Sequence, residues 1–174
     1  MEFGLLETIT TPRLLLRRIT LSDVSAMHAI FADAEVMAYW SRLPHTEIAE
    51  TENWVAKVIA SNESGEGDDF VVIHDGVLVG RIGIWQNNEL GLIFARTVWG
   101  TGVAREAAEV LIERSRSRGM LSIMADIDPR NDRVRRFLEK FGFRKTGAAK
   151  NTYKVGDNWT DSDYLTLDIA PTAV

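Results

Sequence analysis

The chain has no cysteine in its 174 residues, which excludes disulfides, thiolate metal sites and a cysteine nucleophile together. Its three histidines, His28, His45 and His74, are scattered without metal-ligand spacing, so no metal is expected. No stretch approaches the roughly 18 apolar residues of a membrane span, and the start Met1-Glu2-Phe3-Gly4 is neither basic nor followed by an apolar run. The chain therefore reads as soluble and cytoplasmic, without a membrane partner. Positive charge is also in short supply: 20 Lys and Arg stand against 25 Asp and Glu, a net charge of -5. That balance argues against broad nucleic-acid binding, which draws its affinity from phosphate neutralisation. What is present, 45% hydrophobic and 26% charged residues, suits one globular domain spanning residues 1–174.

Local patterns predict a mixed α/β fold. A strand is expected over Arg13 to Ile19, entered after Pro12. Thr20 with Asp23 has the form of a capping box, and Val24, Met27, Ile30 and Phe31 follow at helical spacing to about Ala34. A second amphipathic helix opens near Thr46 with Ile48, Thr51, Val55, Val58 and Ile59 inward, and Ser61 to Asp69 reads as a polar turn. Asp75-Gly76 joins strands Phe70 to Ile73 and Val77 to Trp85 in a two-residue hairpin. A strand at Glu89 to Phe94, a helix at Val103 to Ser117 and a strand at Leu121 to Ile127 form a βαβ unit. A short helix over Arg133 to Phe141 stops at Gly142, and strands near Arg144 to Thr152 and Tyr164 to Ile169 finish the sheet.

Trp99-Gly100-Thr101-Gly102-Val103-Ala104 lies between the Glu89 strand and the Val103 helix. Its glycines permit a tight turn, and the free N–H groups of the helix start point outward at the positive end of the dipole, where an anion belongs. No Lys follows them, so a P-loop is excluded. A dinucleotide loop fits better, because Asp126 and Asp128 lie about 20 residues on, although Arg105 occupies the place of its third glycine or alanine. The antiparallel hairpin ahead of the unit counts against that alternative, a dinucleotide-binding oxidoreductase.

Five segments in order carry a resemblance along nearly the whole chain. They are Thr11-Pro12-Arg13-Leu14-Leu15-Leu16-Arg17; Val36-Met37-Ala38-Tyr39-Trp40 with Pro44; Glu89-Leu90-Gly91-Leu92-Ile93-Phe94; Trp99 to Ala107; and Asn131 through Glu139-Lys140-Phe141-Gly142-Phe143. Together they resemble the GNAT acyltransferases, most of all the RimJ/RimL branch that acetylates ribosomal-protein N-termini. The resemblance implies a single GNAT domain with a mixed, mostly antiparallel sheet, splayed at its middle strands to hold coenzyme A. It also implies acetyl-CoA as co-substrate, with amides from Gly100 through Thr101, Gly102, Val103 and Ala104 to Arg105 on the pyrophosphate. Main-chain groups of Phe94, Ala95, Arg96 and Val98 would pair with the pantetheine arm, and Asn131 would hydrogen-bond it. Trp99 stands where the family often has Gln or Arg. Arg105, Arg130, Arg133 and Arg136 are placed near the cofactor's phosphates.

The expected reaction is direct attack of a primary amine on the thioester. A lysine-type amine, with a pKa of about 10.4, needs a base or water relay more than an α-amine of about 8 does. Glu89 is the first candidate base; Asp126, Asp128 and Tyr39 are poorer ones. Val134 and Leu138 occupy the positions where the relatives carry a Ser or Tyr acid, so no such hydroxyl is expected. A thiol pKa of about 8.5 lets the thiolate leave with little assistance. An acyl-CoA-binding sensor or interaction protein remains the other reading. Tyr39, Trp40 and Trp85, with Tyr153 and Trp159, are expected to frame the acceptor pocket for a peptide N-terminus or a small amine. The protein is expected to be a monomer or homodimer.

Overall fold

The structure, a computed structural model, describes residues 7–170; the Met1 to Gly4 start lies outside them. One eight-stranded sheet runs in the order β1-β2-β3-β4-β5-β6-β8-β7. The strands are β1 (Thr8–Thr10), β2 (Leu14–Arg17), β3 (Asp68–His74), β4 (Val77–Trp85), β5 (Glu89–Phe94), β6 (Ser122–Ile127), β7 (Arg144–Val155) and β8 (Asn158–Asp168). Four helices accompany them: α1 (Val24–Phe31), α2 (Ile48–Ser64), α3 (Val103–Ser117) and α4 (Asp132–Glu139). No helix among the described residues is long and apolar enough to cross a membrane.

Strand alternation sorts the side chains into two cores. Phe70 and Val72 of β3, Ile82 and Ile84 of β4, and Leu90 and Phe94 of β5 pack with Val103, Ala107 and Leu111 of α3 and Leu138 of α4. Val71 and Ile93 pack on the opposite face with Met27, Ile30 and Phe31 of α1 and Val55 and Val58 of α2. Arg81, Gly83 and Trp85 share that second face, as do Glu89 and Gly91, because β4 and β5 pair Arg81 with Ile93, Gly83 with Gly91 and Trp85 with Glu89.

The parallel β5–β6 contact places the site. Only Glu89 and Met124 pair there, after which the strands diverge toward their C-terminal ends. Since Met124 and Asp126 share a face of β6, Asp126 stands one diagonal step from Glu89 on the α1/α2 side. All other strand pairs are antiparallel. This leaves no run of βα repeats to support a dinucleotide fold.

Several element boundaries differ from expectation for local reasons. The expected strand over 13–19 is β2 at Leu14–Arg17, preceded by β1, which the sequence reading lacks. Pro12 lies in the tight turn between them, closed by Thr11 N–H on the Leu14 carbonyl at 2.9 Å. Helix α2 runs past Ser61 to Ser64 and stops only where Gly65 adopts a left-handed φ of +79°, a conformation glycine accepts without a Cβ penalty. Ile48, expected inward, is 44% exposed. Strands β7 and β8 are longer than expected, because register shifts near Lys145 and Ala149 and a run of polar residues hide their alternation.

Candidate active site

The loop expected to hold the cofactor forms the turn into α3. Gly100 and Gly102 adopt φ of +74° and +84°, and the N–H groups of Gly102, Val103, Ala104 and Arg105 meet no acceptor among the described residues. The first bonded one is Glu106, which donates to the Gly102 carbonyl at 3.0 Å. Four converging amides at the positive end of a 15-residue helix form an anion cradle. Glu106 also clasps this turn to the start of β2. It accepts from the Thr11 hydroxyl at 2.5 Å and from Arg13 Nε at 2.7 Å, while Arg13 Nη1 reaches the Thr101 carbonyl at 3.0 Å. Neither Arg13 nor the role of Glu106 was foreseen; a Glu at this place in the Trp99–Ala107 segment was the available signal.

Trp99 has a structural task that a Gln or Arg would perform differently. Its indole N–H donates to the Phe94 carbonyl at 2.9 Å, and the Arg133 guanidinium lies 3.9 Å above its ring, a cation–π contact that ties α4 to the loop. Of the four arginines placed near this face, Arg133 touches the loop through Trp99. Arg105 pairs with Glu109 at 2.8 Å, Arg130 with Asp128 at 2.6 Å, and Arg136 is exposed.

The main chain of β5 is partly committed. Ala95 N–H donates to the Val79 carbonyl at 2.8 Å, so the odd-numbered residues of β5 direct their polar groups to β4 and the even-numbered Leu92 and Phe94 direct theirs to the splay. Arg96 to Val98 forms a 3-10 turn, in which Val98 N–H donates to the Ala95 carbonyl at 3.2 Å. The Arg96 side chain turns away to Asp33 at 2.6 Å and Glu35 at 3.1 Å. The open strand edge is therefore Leu92 and the Phe94 N–H, upstream of the 94–98 stretch, with the Phe94 carbonyl taken by the Trp99 indole. Asn131 caps α4, its Oδ1 accepting from Val134 N–H at 3.2 Å, and its amide N–H₂ has no partner among the described residues.

The splay opens into a cleft of about 370 Å³. The structure brings Glu89, Tyr39, Trp40, Trp85, Asn131, Val134 and Leu138 together on its walls, along with Asp126 and Tyr153. Trp159 is 58% exposed and does not line it. Burial, and then the nearby Asp126 carboxylate, push the Glu89 carboxyl up, toward the neutral range where a base works best. Tyr153 donates its hydroxyl to Asp126 Oδ2 at 2.9 Å. Burial, together with that bond, raises the phenol and keeps it protonated. Asp128 is held below the usual carboxylate range by Arg130, which suits an ion pair and not a base. With Val134 and Leu138 on the wall, α4 offers the cleft no hydroxyl.

His28 and His45 serve packing. His28 Nδ1 and His45 Nδ1 each lie 2.8 Å from the Thr51 hydroxyl, and His45 packs on Phe31 with ring centroids 4.8 Å apart. Among the described residues no group of three or more metal-ligating side chains converges.

Known proteins match this architecture and sequence. Residues 13–144 match the acetyltransferase (GNAT) domain. An uncharacterized N-acetyltransferase of Bacillus licheniformis, p20, is 28% identical over 158 residues, covering 86% of this chain and 89% of that protein. A GNAT-family acetyltransferase from Bacillus anthracis superposes with a TM-score of 0.78 at 28% identity, over 94% of this chain and 99% of that one. The ribosomal L7/L12 α-N-protein acetyltransferase RimL, in complex with coenzyme A, superposes with a TM-score of 0.82 at 17% identity, over 93% and 98%; at that identity the likeness is one of fold. A splayed sheet, a free amide cradle at α3 and a family match over most of the chain agree: the protein belongs to the GNAT acetyltransferases and is an N-acetyltransferase.

Proposed function

We propose that the protein moves the acetyl group of acetyl-CoA to a primary amine bound in the cleft, with Glu89 as the base. One observation carries this reading: a carboxyl raised by burial stands where β5 and β6 part, beside the main-chain groups of Leu92 and the Phe94 N–H that face the splay. The α3 amides would hold the pyrophosphate, the Leu92–Phe94 edge would pair with the pantetheine arm like an added strand, and the free Asn131 amide would donate to it. Glu89 takes a proton from the ammonium, directly or through one water. The amine lone pair then attacks the thioester carbonyl, the C–N bond forms, the C–S bond breaks, the electron pair leaves on sulfur as thiolate, and the surplus proton on the acylated nitrogen passes to that thiolate or to water. With the thiol pKa about 8.5, departure needs little protonation, which fits the apolar Val134 and Leu138.

Free-thiol release over a panel of amines and N-terminal peptides tests the transfer. Turnover that depends on both acetyl-CoA and amine is expected, with acetyl-CoA raising the melting temperature and NAD leaving it unchanged. Tight CoA binding without turnover on any acceptor would instead support the sensor reading.

A further inference from the structure

Arg81 is an arginine in the middle of an otherwise apolar central strand, only 2% exposed, yet it lines the cleft. Its Nε and Nη2 grip the two Asp69 oxygens, and the Trp54 ring covers the guanidinium at 5.4 Å. Gly91 makes room beneath it: a Cβ there would lie 2.5 Å from Nη1. Nη1 makes no hydrogen bond among the described residues. Among the described residues the Ser61 hydroxyl is the one fully buried polar side-chain atom left without a partner, so Nη1 must open into the cleft. Two further cations, Arg42 and Lys57, line the same cleft; Lys57 stands one helical turn from Trp54 on α2. Neither forms an ion pair among the described residues, whereas Arg13, Arg17, Arg18, Arg96 and Arg114 all do.

Side chains of both signs thus meet in the cleft, Arg81, Lys57 and Arg42 with Glu89, Asp126 and Asp161, among tryptophans and the apolar Val134 and Leu138. Nη1 sits over Gly91, two residues along β5 from Glu89, a span of about 7 Å at strand rise. That spacing suits an amine and an anion within one small molecule. A polycation would meet repulsion from Arg42 and Lys57.

Building on the acetyl-transfer reading, we propose that the acceptor is a free amino acid, its amine held at Glu89 and its carboxylate on Arg81 Nη1 in the field of Lys57 and Arg42. Asp69 and Trp54 hold the guanidinium in the space above Gly91, so the donor is preorganised for a carboxylate.

The test compares amino acids with their decarboxylated amines, for example phenylalanine with phenethylamine, in wild type and in the double variant Arg42→Glu/Lys57→Glu. Both residues are exposed, so the variant should fold, and a retained melting shift with CoA verifies that it has. In wild type the amino acid should exceed its matched amine in kcat/KM by at least about tenfold, and the variant should reduce that ratio about tenfold. Calorimetry on the CoA-loaded protein should show N-acetylphenylalanine binding about tenfold tighter than N-acetylphenethylamine. Equal or better use and binding of the decarboxylated series, or a ratio unmoved by the variant, would overturn the assignment. Preferential binding of the N-acetyl amino acid without thiol release from any acceptor would leave the carboxylate site standing and remove the transfer reading instead.

Discussion

Glu89 and Asp126 show what a single side chain owes to its register. A carboxylate opening the strand before a glycine-rich turn is visible in the sequence; the diagonal neighbour that raises it is not, because the one pair joining β5 to β6 links residues 35 positions apart. Glu89→Gln is expected to lower kcat/KM by roughly 10²–10⁴-fold while acetyl-CoA still raises the melting temperature; full activity would remove Glu89 as the base. The neighbour has a signed effect. Asp126 raises the Glu89 carboxyl by like-charge repulsion, so Asp126→Asn should lower it and move the acidic limb of the pH–rate profile to lower pH. A limb that stays in place, or moves to higher pH, would contradict that coupling. The Arg81 site is the harder case for sequence reading. The signal, an arginine inside Gly80-Arg81-Ile82-Gly83, is present, but its partner Asp69 and the space above Gly91 arise only when β3, β4 and β5 are in register.

At the scale of elements, the helix starts were legible and their fastenings were not. Gly100 and Gly102 announce the entry to α3, yet the Arg13–Glu106 clasp joins segments 93 residues apart and leaves no local trace. Asn131 has two side-chain atoms that can be tested apart, one capping α4 and the other proposed above to donate to the cofactor. Asn131→Ala removes both, and should cost about 1 kcal/mol of stability as a lost N-cap as well as raise KM for acetyl-CoA. Asn131→Asp keeps a capping oxygen and loses the donor. It should retain most of the stability, measured by urea denaturation, and still raise KM. Equal stability losses in the two variants would show that the cap is not what Asn131 Oδ1 contributes, and an unchanged KM in both would exclude the side chain from cofactor binding.

For the molecule as a whole, fold class and strand sequence followed from alternation and turn residues. The terminal strand β1 and the full length of the β7–β8 hairpin did not, because short or polar strands carry little periodic signal. Charge pairing binds the distant parts. Asp68 at the start of β3 accepts from Arg18 at 2.8 Å, Arg114 at 2.7 Å and Arg118 at 2.9 Å, and Glu7 shares Arg18 and Arg114. The N-terminal strands, the sheet and the far end of α3 are thereby held at one point. Burial pushes the Asp68 carboxyl up, but Arg114 and Arg18 together outweigh it and hold it below its ordinary value. A depressed carboxyl contributes stability above its unfolded pKa, near 3.9, and loses that contribution as pH falls through the lower folded value. Asp68→Asn should therefore destabilise the protein at pH 7, by about 1–2 kcal/mol once solvent screening is allowed for. The gap between variant and wild type in urea midpoint should close as pH falls below the ordinary carboxylate range. A gap that persisted undiminished in acid would mean that Asp68 acts by shape and hydrogen bonding, with its charge irrelevant to the assembly of β3, β2 and α3.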